Sequence, residues 1–187
     1  MRRTGGYVKA VFACCVLHVA FVSAQTVNRE ALILKAFTDR VQAYAHLHKK
    51  LEGTLPPLKD ASSPEQIKAH QEALAKLIRA ARTRAAEGDL LTADARRLLR
   101  RRIAGALQRP GGSASLEDLS EATPIRLDLK VNASYPADVP LASFPPNLLR
   151  ALPPLPEELE YRFVQRDLIL RDIHANLIVD FMVKARP

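Results

Sequence analysis

The chain is poor in the residues that build covalently linked or cysteine-ligated scaffolds. Its 187 residues include two cysteines, Cys14 and Cys15, and no tryptophan. Both cysteines lie within the first 24 residues, so a chain that begins at Gln25 contains none. This excludes a disulfide framework and a cysteine-ligated zinc site in the remaining 163 residues.

Motifs for cofactor binding and for nucleophilic catalysis are also missing. The sequence has no Walker loop, no dinucleotide-binding glycine fingerprint and no nucleophile elbow. These absences favour a non-catalytic protein over an enzyme. We therefore predict no catalytic residue and no cofactor.

The most apolar stretch of the chain, residues 10–21, is too short for a transmembrane helix, which needs about 20 apolar residues. Basic residues (Arg2, Arg3 and Lys9) precede it, and Val22-Ser23-Ala24 follows it. This order is typical of a secretory signal peptide over residues 1–24. We predict its cleavage, no transmembrane anchor afterwards, and a periplasmic or secreted protein, because a cysteine-free exported chain suits the bacterial periplasm.

Charge and proline divide the rest of the chain. Residues 25–110 have a net charge of +8 and residues 111–187 a net charge of −3. Eight of the 13 prolines lie between Pro124 and Pro156. Because residues 111–115 contain only glycine, serine and alanine, we predict a linker over residues 111–124. It joins a basic helical region, residues 25–110, to a proline-rich segment and β-meander, residues 125–187.

Apolar residues in the basic region recur at the 3.6-residue helical spacing. The pattern predicts three antiparallel helices: one from about Asn28 to Gly53, one from Pro64, capped by Ser63, to Gly88, and one that Thr92 or Asp89 caps and that ends before Pro110. The expected apolar face of the second helix includes Ile67.

The second half of the chain has mostly strand periodicity. Apolar and charged residues alternate from residue 125 to residue 131, which predicts a half-buried strand. A short helix over residues 145–152 and strands over 160–164, 168–170 and 177–181 follow, with Asn176 as the turn residue best suited to a positive φ. The predicted fold class is α+β: an N-terminal antiparallel three-helix unit followed by a small antiparallel β-meander.

The C-terminal segments 159–164, 167–172 and 177–180 resemble the hairpin module of the periplasmic nickel/cobalt-homeostasis protein family. Residues 37–103 and the Leu-Pro-Pro-Leu-Pro stretch at residues 152–156 resemble uncharacterised exported proteins of Gram-negative-type bacteria. These resemblances imply an exported protein, and they imply no reaction and no functional residue.

The densest cluster of positive charge lies on the predicted third helix. Arg96, Arg97, Arg100 and Arg101 fall on an arc of about 140° away from the apolar face. This arginine ridge is our candidate surface for an envelope protein or an anionic surface. The alternative is an ordinary solvated helix face. Export would keep the ridge from cytoplasmic nucleic acid.

Five further residues are candidate metal ligands. Asp172 and His174 share one face of a continuous strand, and Asp180 returns on the next strand. On the first two helices, His48 and His70 lie level in an antiparallel hairpin, each on an apolar face, so we expect their side chains to meet. We predict that His48 and His70 are neutral core imidazoles whose pKa burial lowers, with a metal or proton-sensing pair as the alternative. The alternative for Asp172 and His174 is an ordinary turn without a metal.

We therefore predict an exported, non-catalytic binding module. The alternative is a metal-handling protein or an enzyme whose site lies at the junction of the helical and β regions.

Overall fold

A computed structural model describes residues 8–110, 127–136, 139 and 144–186, and for residues 8–28 only the helical backbone is described. Helices in the N-terminal part are followed by a three-stranded antiparallel sheet, which confirms the α+β fold class. The predicted linker over residues 111–124 lies outside the described residues.

The described residues form four helices: α1 (Val8–Glu52), α2 (Pro64–Ala81), α3 (Ala93–Leu107) and α4 (Pro146–Leu149). The first helix begins well before the predicted Asn28. It ends where expected, at Glu52, the residue before Gly53. The Gly53 N–H donates to the Lys49 carbonyl at 2.9 Å. Thr92, not Asp89, caps α3 by accepting from the Ala95 N–H. The predicted helix over 145–152 is reduced to the single turn of α4.

The second helix starts as predicted and stops early. Ser63 and Gln66 form a reciprocal capping box at its start. It ends at Ala81 rather than Gly88, because the next residue, Arg82, leaves the helical conformation (φ −115°, ψ 39°) while its side chain bonds the Asn132 side chain at 2.8 Å. Ile67, expected on the apolar face, is 49% exposed because it lies more than one turn before the first buried residue of α2.

The sheet has the order β1-β2-β3, with β1 (Leu159–Val164), β2 (Asp167–Asp172) and β3 (Leu177–Met182) joined by tight turns. Each strand pairs antiparallel with the next. Both turns contain a residue in the left-handed region: Gln165 with φ 52° and, as predicted, Asn176 with φ 51°. The β-meander prediction is confirmed.

The predicted strand over residues 125–131 is wrong in its described part. Residues 127–130 have no strand assignment and residues 131–132 form a turn. The expected alternation of burial is present, with Leu127, Leu129 and Val131 packed against a small apolar cluster. Asn132, at φ 65°, then turns the chain so that the backbones of Asn132 and Ala133 hydrogen-bond to Ile178 of β3. The alternation therefore indicates which side chains pack against the apolar cluster, but it does not indicate a paired strand.

One apolar core joins the helices to the sheet. Its buried members come from α1, α2, α3, the segment around α4 and all three strands. This core sets the last two turns of α1 against the turn that joins β2 and β3. None of the described helices combines the length and apolarity needed to cross a bilayer.

Candidate metal centre at the helix–sheet junction

Three side chains follow one stripe along the end of α1. Tyr44, His48 and Glu52 are spaced by four residues, which places them one above the other on the same helix face. This face meets the turn between β2 and β3. The helical period therefore places a phenol, an imidazole and a carboxylate on the face of α1 that meets the sheet.

Asp172, the last residue of β2, is the buried anchor of the cluster. Its carboxylate accepts hydrogen bonds from the Tyr44 hydroxyl at 2.6 Å, from His48 Nδ1 at 2.6 Å and from the Ala175 backbone N–H at 2.7 Å. Because a carboxylate only accepts, His48 Nδ1 carries a proton. Nε2 faces away from Asp172 and toward Glu52, and it offers a lone pair to a metal ion once its own proton is released.

Three imidazole rings lie close to the Glu52 carboxylate. Its Oε2 lies 3.2 Å from His48 Nε2, and its Oε1 lies 3.2 Å from His174 Nδ1 and 3.5 Å from His70 Nε2. The side-chain exposure rises outward through the cluster, from 0% for His48 to 11% for His70 and 45% for His174. The cluster thus reaches from the core to solvent.

Opposite charges dominate the electrostatics of the cluster. Burial alone would lower the pKa of His48, but the hydrogen bonds and charges of Asp172 and Glu52 outweigh it, so the pKa is raised. This overturns the expectation that burial lowers it. Burial would raise the pKa of Asp172 and of Glu52, but hydrogen bonds and the imidazole charges hold the pKa of both carboxyls below its ordinary value. Burial and the Asp172 charge raise the pKa of Tyr44.

The spacing of three of these groups suits a metal ion. His48, Glu52 and His174 each offer one ligand atom, and these atoms all lie within 4.8 Å of one another. Two ligand atoms that are each about 2.1 Å from a tetrahedral ion lie about 3.4 Å apart. Glu52 Oε2 lies 3.2 Å from His48 Nε2, and the other oxygen, Oε1, lies 3.2 Å from His174 Nδ1, so either carboxylate oxygen is close to that separation from one imidazole ligand.

The structure brings most of the predicted metal candidates to this junction. His48 and His174 lie in the ligand group, His70 contacts Glu52 from α2, and Asp172 holds His48 from the side opposite Glu52. Asp172 and His174 therefore take different roles, although we grouped them as ligands on one strand face.

Asp180 is separate from this cluster. It is fully buried in β3, and its carboxylate accepts from the backbone N–H groups of Gly88, Leu90 and Leu91 at 2.8–2.9 Å. These donors belong to the loop between α2 and α3. Asp180 therefore organises that loop, contrary to its grouping with Asp172 and His174.

Sequence reasoning missed Glu52 and Tyr44. Both have the signal that was needed, since each is four residues from His48 on the same helix. Glu52 was overlooked because it lies beside the glycine that ends the helix, where a charged residue looks like an ordinary exposed end.

The arginine ridge on α3 is largely matched by acceptors within the chain. Arg96 pairs with Glu87, Arg97 with Asp94 and Arg101 with Glu30. Arg100 donates to the carbonyls of Val183 and Lys184 after β3, at 2.9 and 3.1 Å. The role of the ridge in partner binding stays a prediction.

Comparison of the chain with models of protein families, with curated proteins and with solved structures gives no match. The function of the junction therefore has to be argued from its own geometry.

Proposed function

We propose that this protein binds a divalent transition-metal ion through His48, Glu52 and His174. The observation that carries the proposal is the gathering of three ligand atoms within 4.8 Å, one of them on an imidazole that Asp172 orients from behind. A carboxylate that receives the far ring N–H of a metal-ligating histidine is the usual support of such a ligand. The chain supplies that support at 2.6 Å.

The donor set selects the class of ion. Two imidazole nitrogens and one carboxylate oxygen suit zinc, nickel, cobalt or copper, whereas calcium and magnesium prefer oxygen ligands throughout. Three protein ligands leave a fourth tetrahedral position for water or another small ligand. His174 is 45% exposed, so the site is open to solvent on that side. This combination supports a metal-handling role rather than a closed structural site.

The first test is titration of the metal-free protein with Zn²⁺ by calorimetry and with Co²⁺ by visible absorption. We expect one ion per chain and the intense absorption of tetrahedral Co²⁺. His174→Ala and Glu52→Gln, both outside the fully buried core, are expected to weaken binding more than about 100-fold, which exceeds the 10- to 100-fold cost of losing an outer hydrogen-bond partner of a ligand.

His46→Ala is the matched control. His46 is an exposed imidazole on α1, two residues from His48, and residues two apart on a helix do not face each other. We expect its substitution to leave Zn²⁺ affinity unchanged. A wild-type protein that binds no Zn²⁺ or Co²⁺, or a His46→Ala loss as large as that of His174→Ala, would contradict the proposal and leave the junction as a hydrogen-bonded charge cluster.

We further propose that the protein is exported and works outside the cytoplasm as a binding protein. The order of basic, apolar and small residues over positions 1–24 supports this. Mass spectrometry of the protein from its native host is expected to find Gln25 as the first residue, and an intact Met1 in the membrane fraction would contradict it.

A further inference from the structure

A cavity of about 380 Å³ lies between α1, α3 and the turn after α4. Its charged lining consists of one carboxylate and four guanidiniums: Glu30, Arg101, Arg102, Arg109 and Arg150. It shares only Arg101 with the arginine ridge, and none of its lining residues belongs to the metal cluster.

The described residues around this cavity do not balance its positive charge. Glu30 pairs with Arg101 at 3.0 Å. Arg102, Arg109 and Arg150 have no ion pair with any of the residues that the structure describes, and Arg102 is half-buried. Like charges held together in a concave site raise the local concentration of anions. The planar fork of a guanidinium donates two parallel N–H bonds to an oxyanion.

A glycine lies at the centre of this arginine face. Gly105 is four residues from Arg101 and three from Arg102, so the three share one side of α3, and Arg109 lies just after the end of this helix. Glycine in a helix interior is unfavourable relative to alanine, and a Cβ built on Gly105 would meet nothing within 4 Å. Packing therefore does not require glycine here. Because glycine has no side chain, this position leaves open space among the arginines.

We propose that this cavity binds a phosphate-type oxyanion, with Arg102 and Arg150 as the principal donors and the open space over Gly105 as the seat of the anion. The same chemistry recognises a free phosphate and the phosphate of an anionic lipid headgroup. The site is independent of the metal centre.

Calorimetric titration with inorganic phosphate at constant ionic strength tests the site. We expect saturable binding of one phosphate per chain. Arg150→Gln, an exposed position, and Arg102→Gln are each expected to weaken it about tenfold or more, since each removes charge-assisted hydrogen bonds. Arg84→Gln is the matched control, because Arg84 is an exposed arginine outside the cavity.

A second pair of variants tests the space without changing the charge. Gly105→Leu fills the cavity and is expected to abolish phosphate binding, whereas Gly105→Ala is expected to raise the melting temperature and retain most of the affinity. Circular dichroism confirms that both variants fold. Equal loss of binding in Arg84→Gln and Arg150→Gln, or full binding by Gly105→Leu, would overturn the proposal.

Cosedimentation with vesicles distinguishes the two sources of phosphate. Binding to phosphatidylcholine vesicles that contain phosphatidylglycerol, lost in Arg150→Gln and absent with phosphatidylcholine alone, identifies a lipid headgroup. Phosphate binding without vesicle binding identifies a free oxyanion. Binding to neither probe refutes the site.

Discussion

Two buried carboxylates in neighbouring strands connect the sheet to the helical region in different ways. Asp172 and Asp180 are both fully buried. Among the described residues, Asp180 accepts hydrogen bonds only from backbone N–H groups, three in the loop between α2 and α3 and one on Phe181. Asp172 accepts hydrogen bonds mainly from the side chains of Tyr44 and His48. His48 also contacts Glu52, and Glu52 contacts the half-exposed His174. A buried carboxylate that accepts hydrogen bonds from the backbone alone stabilises the fold. One that accepts them from ionisable side chains can also form part of a binding site.

The largest effect is expected for Asp180→Ala. The substitution leaves three backbone N–H groups near Gly88 and Leu91 without an acceptor, at a cost of about 3–5 kcal/mol in the free energy of unfolding. Urea denaturation measures it. The control Asp128→Ala, at a side chain that is 82% exposed, is expected to change stability by about 0.5 kcal/mol or less. If the variant still folds, its Zn²⁺ affinity is expected to match the wild type; a large loss would show that the two junctions act as one.

Asp172→Asn is expected to affect stability and metal binding together. The amide replaces one acceptor oxygen by a donor, so it cannot accept from Tyr44, His48 and Ala175 at once, at a cost of about 2–3 kcal/mol. Without its anchor, His48 is expected to lose 10- to 100-fold in metal affinity. Calorimetry and urea denaturation measure the two quantities. Asp167→Asn, at the other end of β2, is the matched control and is expected to leave Zn²⁺ binding unchanged.

Tyr44→Phe sharpens the comparison by removing one donor to Asp172. The loss of a hydrogen bond to a charged group is expected to lower the free energy of unfolding by about 1.5 kcal/mol. Zn²⁺ affinity is expected to fall less than in Asp172→Asn, because the His48–Asp172 contact remains. Tyr161→Phe removes a buried hydrogen bond to the Pro153 carbonyl and serves as the control. A larger metal effect in Tyr44→Phe than in Asp172→Asn would place the anchor of His48 elsewhere.

The smallest effect is expected at a third carboxylate of the sheet, Glu160, which pairs with Arg162 and Arg171. Burial would raise its pKa, but the hydrogen bonds and charges of the two arginines outweigh it and lower the pKa. A lowered folded-state pKa contributes stability above the unfolded value of about 4.3, and this contribution is lost as the pH falls through the folded value. Between pH 5 and about pH 3, the free energy of unfolding of Glu160→Gln is therefore expected to fall by about 1 kcal/mol less than that of the wild type. Urea midpoints across that range would contradict this if the two curves stay parallel.

The sequence predicts those parts of the fold that depend on local periodicity. The three strands and the turn at Asn176 follow from short apolar runs bounded by turn residues and from the tolerance of asparagine for positive φ, whereas the strict alternation over residues 125–131 did not give a strand in its described part. The end of α2 does not follow, because the helix stops at Ala81 for a tertiary reason, the contact of the Arg82 side chain with Asn132. A glycine later in the chain gave a plausible but wrong end.

The candidate site was predictable only in its local half. Counting residues along a helix places His48 on the buried face and would have added Glu52. The contact of His48 with Asp172 joins residues 124 positions apart, and no local pattern encodes which buried carboxylate a buried imidazole will meet. The same limit explains why Asp180 was grouped with Asp172, since neighbouring strands do not reveal which loop covers each of them.

The separation of Glu52 and His174 along the chain would give the proposed metal centre a role in stability as well. These residues are separated by 122 positions, so an ion bound to both closes a loop that includes α2, α3 and most of the sheet. A reversible coordinate cross-link of this length would restrict the unfolded chain as a disulfide does, and the entropy of closing a loop of this size corresponds to on the order of 5 kcal/mol. In a chain whose two cysteines lie at positions 14 and 15, metal supply would then set how long the folded protein survives.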